Sequence, residues 1–525
     1  MPLRSMGSRK SVVVLDFGGQ YAHLIARRVR ELNYYSQLLP FDVSLHDFLS
    51  ANPVAVIFSG GPASIYVEGA PKPRDEVLKH IVENKIPLLG ICYGHQLIAS
   101  IFGGHVARRE RAEYGSSVLR IVKNDPLFYG TPETQRVWMS HRDAVEMLPL
   151  DFEVLASTDY SEVAAFKHKT LPIYGVQFHP EVRHTEYGKT ILSNFLSRIA
   201  GLQPNWFVED EARQIIEGMR HRLKGKILMA VSGGVDSLTA ALMILKAVGN
   251  ENIYLVHVDT GLLREGESER VLTTLRKLGF GNIYFVDASQ LFLERLKGVV
   301  DPEEKRRIIA RTFADVFKEK ALELNSKVGG FRYLAQGTIY PDRVESGATG
   351  KATAKIKSHH NVVMESIPGL ELVEPLADFY KDEVRKIARS IGIPDDIVIQ
   401  HPFPGPGLAV RILGEVTVEK LKILRKATSI VEEEFKRKGL YEKVWQAFPV
   451  LLSIKSVGVK GDIRSYEYVL ALRVVESEDA MTASFAKLPW DLLECLAERL
   501  VNEVEGVNRV LYDVTNKPPA TIEFE

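Results

Sequence analysis

Short, unbroken apolar runs recur through the first part of the chain. Ser11 to Phe17 (SVVVLDF), Val54 to Gly60 (VAVIFSG) and Pro87 to Cys92 (PLLGIC) do not alternate with polar residues, and segments with helical spacing separate them. A strand covered on both faces reads this way, because each of its side chains meets a packed layer, so the runs predict a parallel sheet flanked by helices. Arg136 to Met139, Ala164 to Lys167 and Ile173 to His179 add strands, and Glu186 to Ala200 reads as an amphipathic helix ending at Gly201.

Gly201-Leu-Gln-Pro-Asn then breaks the periodicity before a helical stretch, Val208 to Leu223. A second series follows. Strands at Ile227 to Val231, Ile253 to Val258, Ile283 to Val286 and Tyr333 to Gln336 alternate with helices at Ser237 to Val248, Glu267 to Leu278 and Glu303 to Asn325. Alternation of this kind predicts a second doubly wound parallel sheet. The three prolines and two glycines of His401-Pro-Phe-Pro-Gly-Pro-Gly407 forbid regular structure. Beyond them Tyr466 to Leu472 and Val507 to Val514 read as strands and Trp490 to Val504 as a helix, a small α+β domain with an exposed sheet. The expected fold class is α/β, with domains at 10–202, 203–400 and 401–525.

Composition narrows the function. A chain of 525 residues holds three or four domains at about 150 residues each. Lys and Arg total 67 and so do Asp and Glu, leaving no net charge to draw the protein to nucleic acid or an anionic membrane. Two cysteines, Cys92 and Cys495, are too few for a disulfide framework or a four-ligand zinc site. No apolar stretch of about 18 residues occurs and no leader pattern follows Met1, so a soluble, cytoplasmic protein is expected.

Gly90-Ile-Cys-Tyr-Gly94 lies between a buried strand and the helical run His95 to Ile101, the strand, sharp turn and helix of a nucleophile elbow with Cys92 in place of serine. The glycines let the backbone bend, and the helix N-terminus favours thiolate over thiol. Alone, a cysteine at a strand end is ordinarily a small core residue. A nucleophile also needs a base held by a third group, and Gly175-Val-Gln-Phe-His-Pro-Glu181 supplies His179 and Glu181 at another strand end. Ser59-Gly60-Gly61-Pro62, after a third strand, offers backbone N–H groups for an oxyanion hole.

On these motifs, residues 11 to 200 resemble the triad-type, class I glutamine amidotransferase domain. The resemblance implies that Cys92 attacks the glutamine amide, His179 moves the proton and Glu181 orients His179. It implies also that Tyr93 with Gly60 and Gly61 holds the oxyanion, while Gln96, Ser140, His141 and Asp143 line the glutamine pocket. Arg142 stands where that family has glycine.

A second chemical signal is Ser232-Gly-Gly-Val-Asp-Ser237, which follows an apolar strand and opens a helix, so backbone N–H groups and the helix dipole converge on one point. It has neither the Gly-Lys-Ser/Thr ending of a Walker loop nor dinucleotide spacing. It resembles the pyrophosphate loop of the ATP pyrophosphatases. The resemblance implies that Ser232, Gly233, Gly234, Val235, Asp236, Ser237 and Leu238 hold ATP phosphates, with Val258 beside the adenine; by its chemistry Asp236 can hold Mg²⁺ or cap the helix. Leu238 replaces a commoner Ser or Thr.

The segments Asp301 to Ile309, Leu334 to Asp342, Ile356 to Val362, Lys381 to Arg385, His401 to Arg411 and Lys517 to Glu525 resemble a family of glutamine-hydrolysing ligases that aminate xanthosine 5′-monophosphate (XMP). Membership implies that Arg306, Gln446, Lys517, Ile522 and Glu523 contact XMP, and that Asp342, Glu345, Lys357, His359, His360 and Asn361 belong to a lid. Lys357, Lys381 and Arg385 would neutralise phosphate charge, while Asp342, Asp382 and Glu383 would hold metal or fix those cations. The resemblance makes the C-terminal unit a homodimerisation element, with Ser453 and Lys455 in place of the usual Pro and Arg. The partners so implied are ATP, XMP, L-glutamine and a second copy, with Mg²⁺ accompanying ATP and no organic cofactor. Zinc is not expected, since the neighbours His359 and His360 lack further Cys or His ligands nearby. Two other readings of the same motifs are another amidotransferase of the ATP pyrophosphatase type, such as a glutamine-dependent NAD synthase, and a nucleotide sensor without turnover.

Overall fold

The β-branched run at the start of the described chain forms an inner strand of a sheet, one place in from its edge. The computed structural model describes residues 9–342, 367, 369–460, 462–477 and 482–525. The chain divides into two compact units between Phe207 and Val208. In the first, strands β1 (Ser11–Asp16), β2 (Ser36–Pro40), β3 (Pro53–Phe58), β4 (Leu88–Ile91), β5 (His105–Ile121), β6 (Thr134–Met147), β7 (Phe152–Ser157), β8 (Ala165–His168) and β9 (Ile173–Val176) join in the order β2-β1-β3-β4-β9-β8-β7-β5-β6.

The five strands from β2 to β9 are parallel, and the remainder continue the sheet antiparallel. Unbroken apolar runs supply β1, β3 and β4 of the parallel half, and its strand ends carry Ser59, Cys92 and Gln177. Phe17, Phe58, Leu88, Tyr93 and Phe166 belong to one buried cluster against that sheet. The helix expected at 186–200 is an α-helix over Gly188–Asn194 that widens into a π turn over Phe195–Ile199.

In the second unit β10 (Ile227–Ala230), β11 (Ile253–Asp259), β12 (Ile283–Asp287), β13 (Tyr333–Ala335) and β14 (Glu371–Val373) make a wholly parallel sheet ordered β12-β11-β10-β13-β14. A further sheet pairs β15 (Gln446–Lys460) with β16 (Ile463–Glu476) antiparallel, with β17 (Ser484–Phe485) and β18 (Val507–Tyr512) also on β16. One hydrophobic cluster runs through both: Leu228, Val256 and Phe317 share it with Leu424, Leu470 and Leu492. The proline-rich segment is irregular as expected up to Pro406, and a 3₁₀ turn follows over Gly407–Arg411.

Candidate active sites

At the end of β4 the chain must reverse into the helix Tyr93–Ile101 within one residue, and Cys92 takes φ 52° and ψ −104°, a conformation L-residues rarely adopt. The neighbours hold it there. Cys92 N–H donates to Val176 O at 2.9 Å and Gly94 N–H to Ser59 O at 3.1 Å, tying the elbow to strands on either side. A Cβ on Gly94 would sit 2.5 Å from Phe58 O, and one on Gly90 would sit 2.4 Å from Gly94 O, so both positions require glycine.

The thiol lies on the wall of a cavity of about 610 Å³, together with Gly60, Gly61, Tyr93, Gln96, Ser140, His141, Asp143 and His179. A Cβ at Gly60 would lie 3.2 Å from His179 Cε1 and 3.6 Å from Cys92 Cβ, which places that turn beside both reacting side chains. His179 Nδ1 and Glu181 Oε1 are 2.7 Å apart, both residues are buried, and Glu181 Oε2 has no hydrogen-bond partner among the described residues. Burial disfavours the imidazolium, but the Glu181 carboxylate and the Cys92 sulfur outweigh it and raise the His179 pKa to about 10. Tyr21 packs its ring edge to face on His179, with centroids 5.2 Å apart.

The remaining pocket residues are held by one another. Gln96 Nε2 donates to Asp143 O at 2.7 Å and to Gln177 Oε1 at 3.1 Å. His141 sits between Asp143 O, 2.9 Å from Nδ1, and the Glu113 carboxylate, 3.0 Å from Nε2. The Asp143 carboxylate accepts from Tyr66 OH at 2.9 Å. Sequence reasoning missed Tyr66, Arg108, Glu113 and Tyr114, of which all but Glu113 line the cavity. They sit in a loop or on the polar strand β5, where no apolar period marks them; the pairing with β6 slips between Arg108 and Glu113 and so re-aims the strand there.

In the second unit the turn after β10 leads into the helix Val235–Val248. Gly233 has φ 88°, and a Cβ there would overlap Val271, so only glycine fits. Ser232 Oγ and Ser237 Oγ are 3.1 Å apart and Gly234 N–H donates to Ser232 Oγ at 3.3 Å. Lys381 Nζ donates to Asp236 Oδ2 at 2.6 Å, whereas Asp236 Oδ1 is buried with no hydrogen-bond partner among the described residues. That oxygen is one hard donor of the kind a divalent cation takes, and among the described residues no group of three or more Asp, Glu, His or Cys gathers to complete a metal site. Leu238 turns away: its side chain is fully buried and its N–H donates to Gly234 O. Val258 is buried in β11.

Other expected residues separate into groups. Glu383 is buried and accepts from Tyr380 N–H at 2.8 Å, which caps the helix Lys381–Ile391 and takes it away from the turn. Arg385 donates to Gln400 O at 3.3 Å, and Asp342 accepts from Ile339 N–H at 3.1 Å. Asp382 lies in the first turn of the Lys381–Ile391 helix. Glu345, Lys357, His359, His360 and Asn361 lie outside the described residues. The tail brings together Gln446 Nε2 and Glu523 Oε1 at 3.3 Å, beside Ile522, while Arg306 donates to the main-chain oxygen of Glu525. Lys517 pairs its backbone with Ala483.

Comparison with known proteins first defines the class. Residues 13–199 match the family Glutamine amidotransferase class-I, the class to which the elbow and its triad point, and residues 433–524 match the GMP synthase C terminal domain. The GMP synthase [glutamine-hydrolyzing] of Thermosipho africanus is 52% identical over 519 residues, covering 98% of this chain and all of the relative. The protein of the same description from Aquifex aeolicus is 51% identical over 519 residues, with the same coverage. The chain belongs to the glutamine-hydrolyzing GMP synthase family.

Proposed function

We propose that this chain converts XMP, ATP, glutamine and water to GMP, AMP, pyrophosphate and glutamate. It is a glutamine-dependent carbon–nitrogen ligase of purine biosynthesis. The observation that carries the first half is the Cys92 sulfur on the wall of a cavity, at a strained elbow, with His179 backed by the buried Glu181. Cys92 Sγ attacks the side-chain carbonyl of glutamine; the Tyr93 N–H and the Gly60-Gly61 turn receive the charge that develops on its oxygen. His179 gives its proton to the departing nitrogen, ammonia leaves, and water taken up through His179 releases glutamate from the thioester.

In the synthetase half, the Ser232 to Ser237 turn holds the β and γ phosphates, Lys381 adds a cation, and Arg385 supports the charge. The C2 oxygen of XMP attacks the α phosphorus and pyrophosphate departs. Ammonia then attacks C2, and AMP leaves with the oxygen. Mg²⁺, when bound with ATP, supplies neutralisation of the triphosphate, and Asp236 is the residue that would hold it. Arg306 and Lys517 recognise the 5′-phosphate, while Gln446, Ile522 and Glu523 meet the purine and sugar.

The division into an amidotransferase domain at 10–202, a synthetase domain at 203–400 and an XMP-binding, dimerising domain at 401–525 follows from these roles. Support for a homodimer comes from the exposed apolar residues Ile454, Val457, Val459, Ile463 and Tyr466 of β15 and β16. A cytoplasmic setting is consistent with two unpaired cysteines, and no helix among the described residues is long and apolar enough to cross a membrane. The test is Cys92→Ala. Glutamine-driven GMP formation should fall at least about 10³-fold while synthesis from added ammonium continues; AMP release should require XMP and not another nucleotide acceptor. Equal survival of both activities overturns the assignment of Cys92.

A further inference from the structure

A lysine with no exposed surface needs a reason, because burial strips its ammonium of water. Lys305 is such a residue, in the first turn of the helix Pro302–Val328 and adjacent to Arg306. Its Nζ donates to Ile412 O at 2.7 Å, to Ala409 O at 3.4 Å and to the Glu525 carboxylate. The other Glu525 oxygen accepts from Gly414 N–H at 3.1 Å. One buried ion pair therefore joins three segments: the start of that helix, the turn that ends near Gly414, and the tail.

Two more buried cations hold the same tail. Arg473 donates to the carbonyls of Thr515 at 2.5 Å, Thr521 at 2.8 Å and Ile522 at 3.4 Å. Arg411 grips the Glu523 carboxylate through two bonds of 2.9 and 2.8 Å. Residues 513–525 contain no helix or longer strand of their own, so these side chains, with the backbone bridge between Lys517 and Ala483, set the path of the tail. Burial pulls the Lys305 pKa down and Glu525 opposes it, as expected of an ammonium kept for its partner.

We propose that Lys305 and Glu525 are a positioning pair for the nucleotide monophosphate: they lock the tail so that Ile522 and Glu523 stand at the correct distance from Arg306. Neither residue contacts the ligand. The proposal rests on the reading that Arg306, Gln446, Lys517, Ile522 and Glu523 bind XMP, and its test separates the two.

Ammonium-driven synthesis by the full chain, which bypasses the glutaminase, is measured for Glu525→Gln, Lys305→Met and the double variant, with thermal melting of each. Glu525→Gln keeps shape and removes charge; it should raise KM for XMP at least about tenfold, with kcat within about threefold and KM for ATP unchanged. The double variant, which leaves no unpaired buried charge, should bind XMP better than either single variant. Arg306→Ala and Glu523→Gln test the underlying reading. If these two raise KM for XMP while Glu525→Gln leaves it within twofold of the native value, the positioning role is wrong and the binding site stands. If none of them moves KM for XMP, the site assignment itself fails and takes the proposal with it. A fall in kcat with a parallel rise in KM for ATP would mark Lys305 and Glu525 as a general support of the fold and would also overturn the proposal.

Discussion

At the scale of single residues, strain and charge act together at Cys92. The rare backbone conformation costs on the order of 1–3 kcal/mol, which the packing of the elbow against β3 and β9 offsets. The raised His179 pKa keeps an imidazolium beside the Cys92 sulfur, and Glu181 is its charged partner. Glu181→Gln should reduce glutamine hydrolysis by roughly 10²–10⁴-fold and slow alkylation of Cys92 by iodoacetamide at neutral pH. An unchanged alkylation profile would count against the triad. His95 titrates in the opposite sense. Packed on Phe166 with ring centroids 4.5 Å apart, it is fully buried, and that burial pushes its pKa down to about 3. Its folded pKa thus lies below the unfolded value of 6.5, so the unfolded chain binds the extra proton. Stability is intact above about pH 6.5 and is lost as pH falls toward 3, with a slope of up to about 1.4 kcal/mol per pH unit from this group. Urea titrations of the full chain between pH 7 and 5 should show a shallower acid loss in His95→Leu than in the native protein.

At the scale of elements, legibility followed burial. The elbow could be read because Gly90 and Gly94 bracket Cys92 at a spacing that only a sharp turn explains, and the close approach of Gly94 to Phe58 gives the reason. Gly94→Ala should destabilise the first unit by about 1–3 kcal/mol, since backbone and not a flexible side chain lies in the way; thermal melting measures it. Strand β5 escaped for the opposite reason. Of His105–Ile121 only Val106, Glu113 and Leu119 are buried, so no run or alternation of apolar residues announces a strand. With β5 unread, the slip in its pairing could not be foreseen, nor the place of Arg108 and Tyr114 at the cavity. Helix 186–200 was legible as an amphipathic period, but its last turn widens to π geometry, which the same period cannot distinguish. For Glu383 the resemblance implies holding metal or fixing the cations, while its place as the third residue of a helix is the sequence sign of the cap it makes with Tyr380 N–H.

At the scale of the whole molecule, the Cys92 elbow and the Ser232–Ser237 turn occupy different units of one chain, each built where a parallel strand ends and a helix begins. The apolar stripe on β15 and β16 sets a prediction at this scale: Val459→Asp with Ile463→Asp should shift the assembly toward monomer in light scattering, and an unchanged mass would remove the stripe from the interface. The single apolar cluster that links Leu228 and Val256 to Leu424 and Leu492 has a practical corollary. A chain cut after residue 400 would leave the inner faces of the parallel sheet open to water, so a shortened amination catalyst made that way should aggregate, and an engineer wishing to discard the glutaminase should trim from the other side, near residue 207.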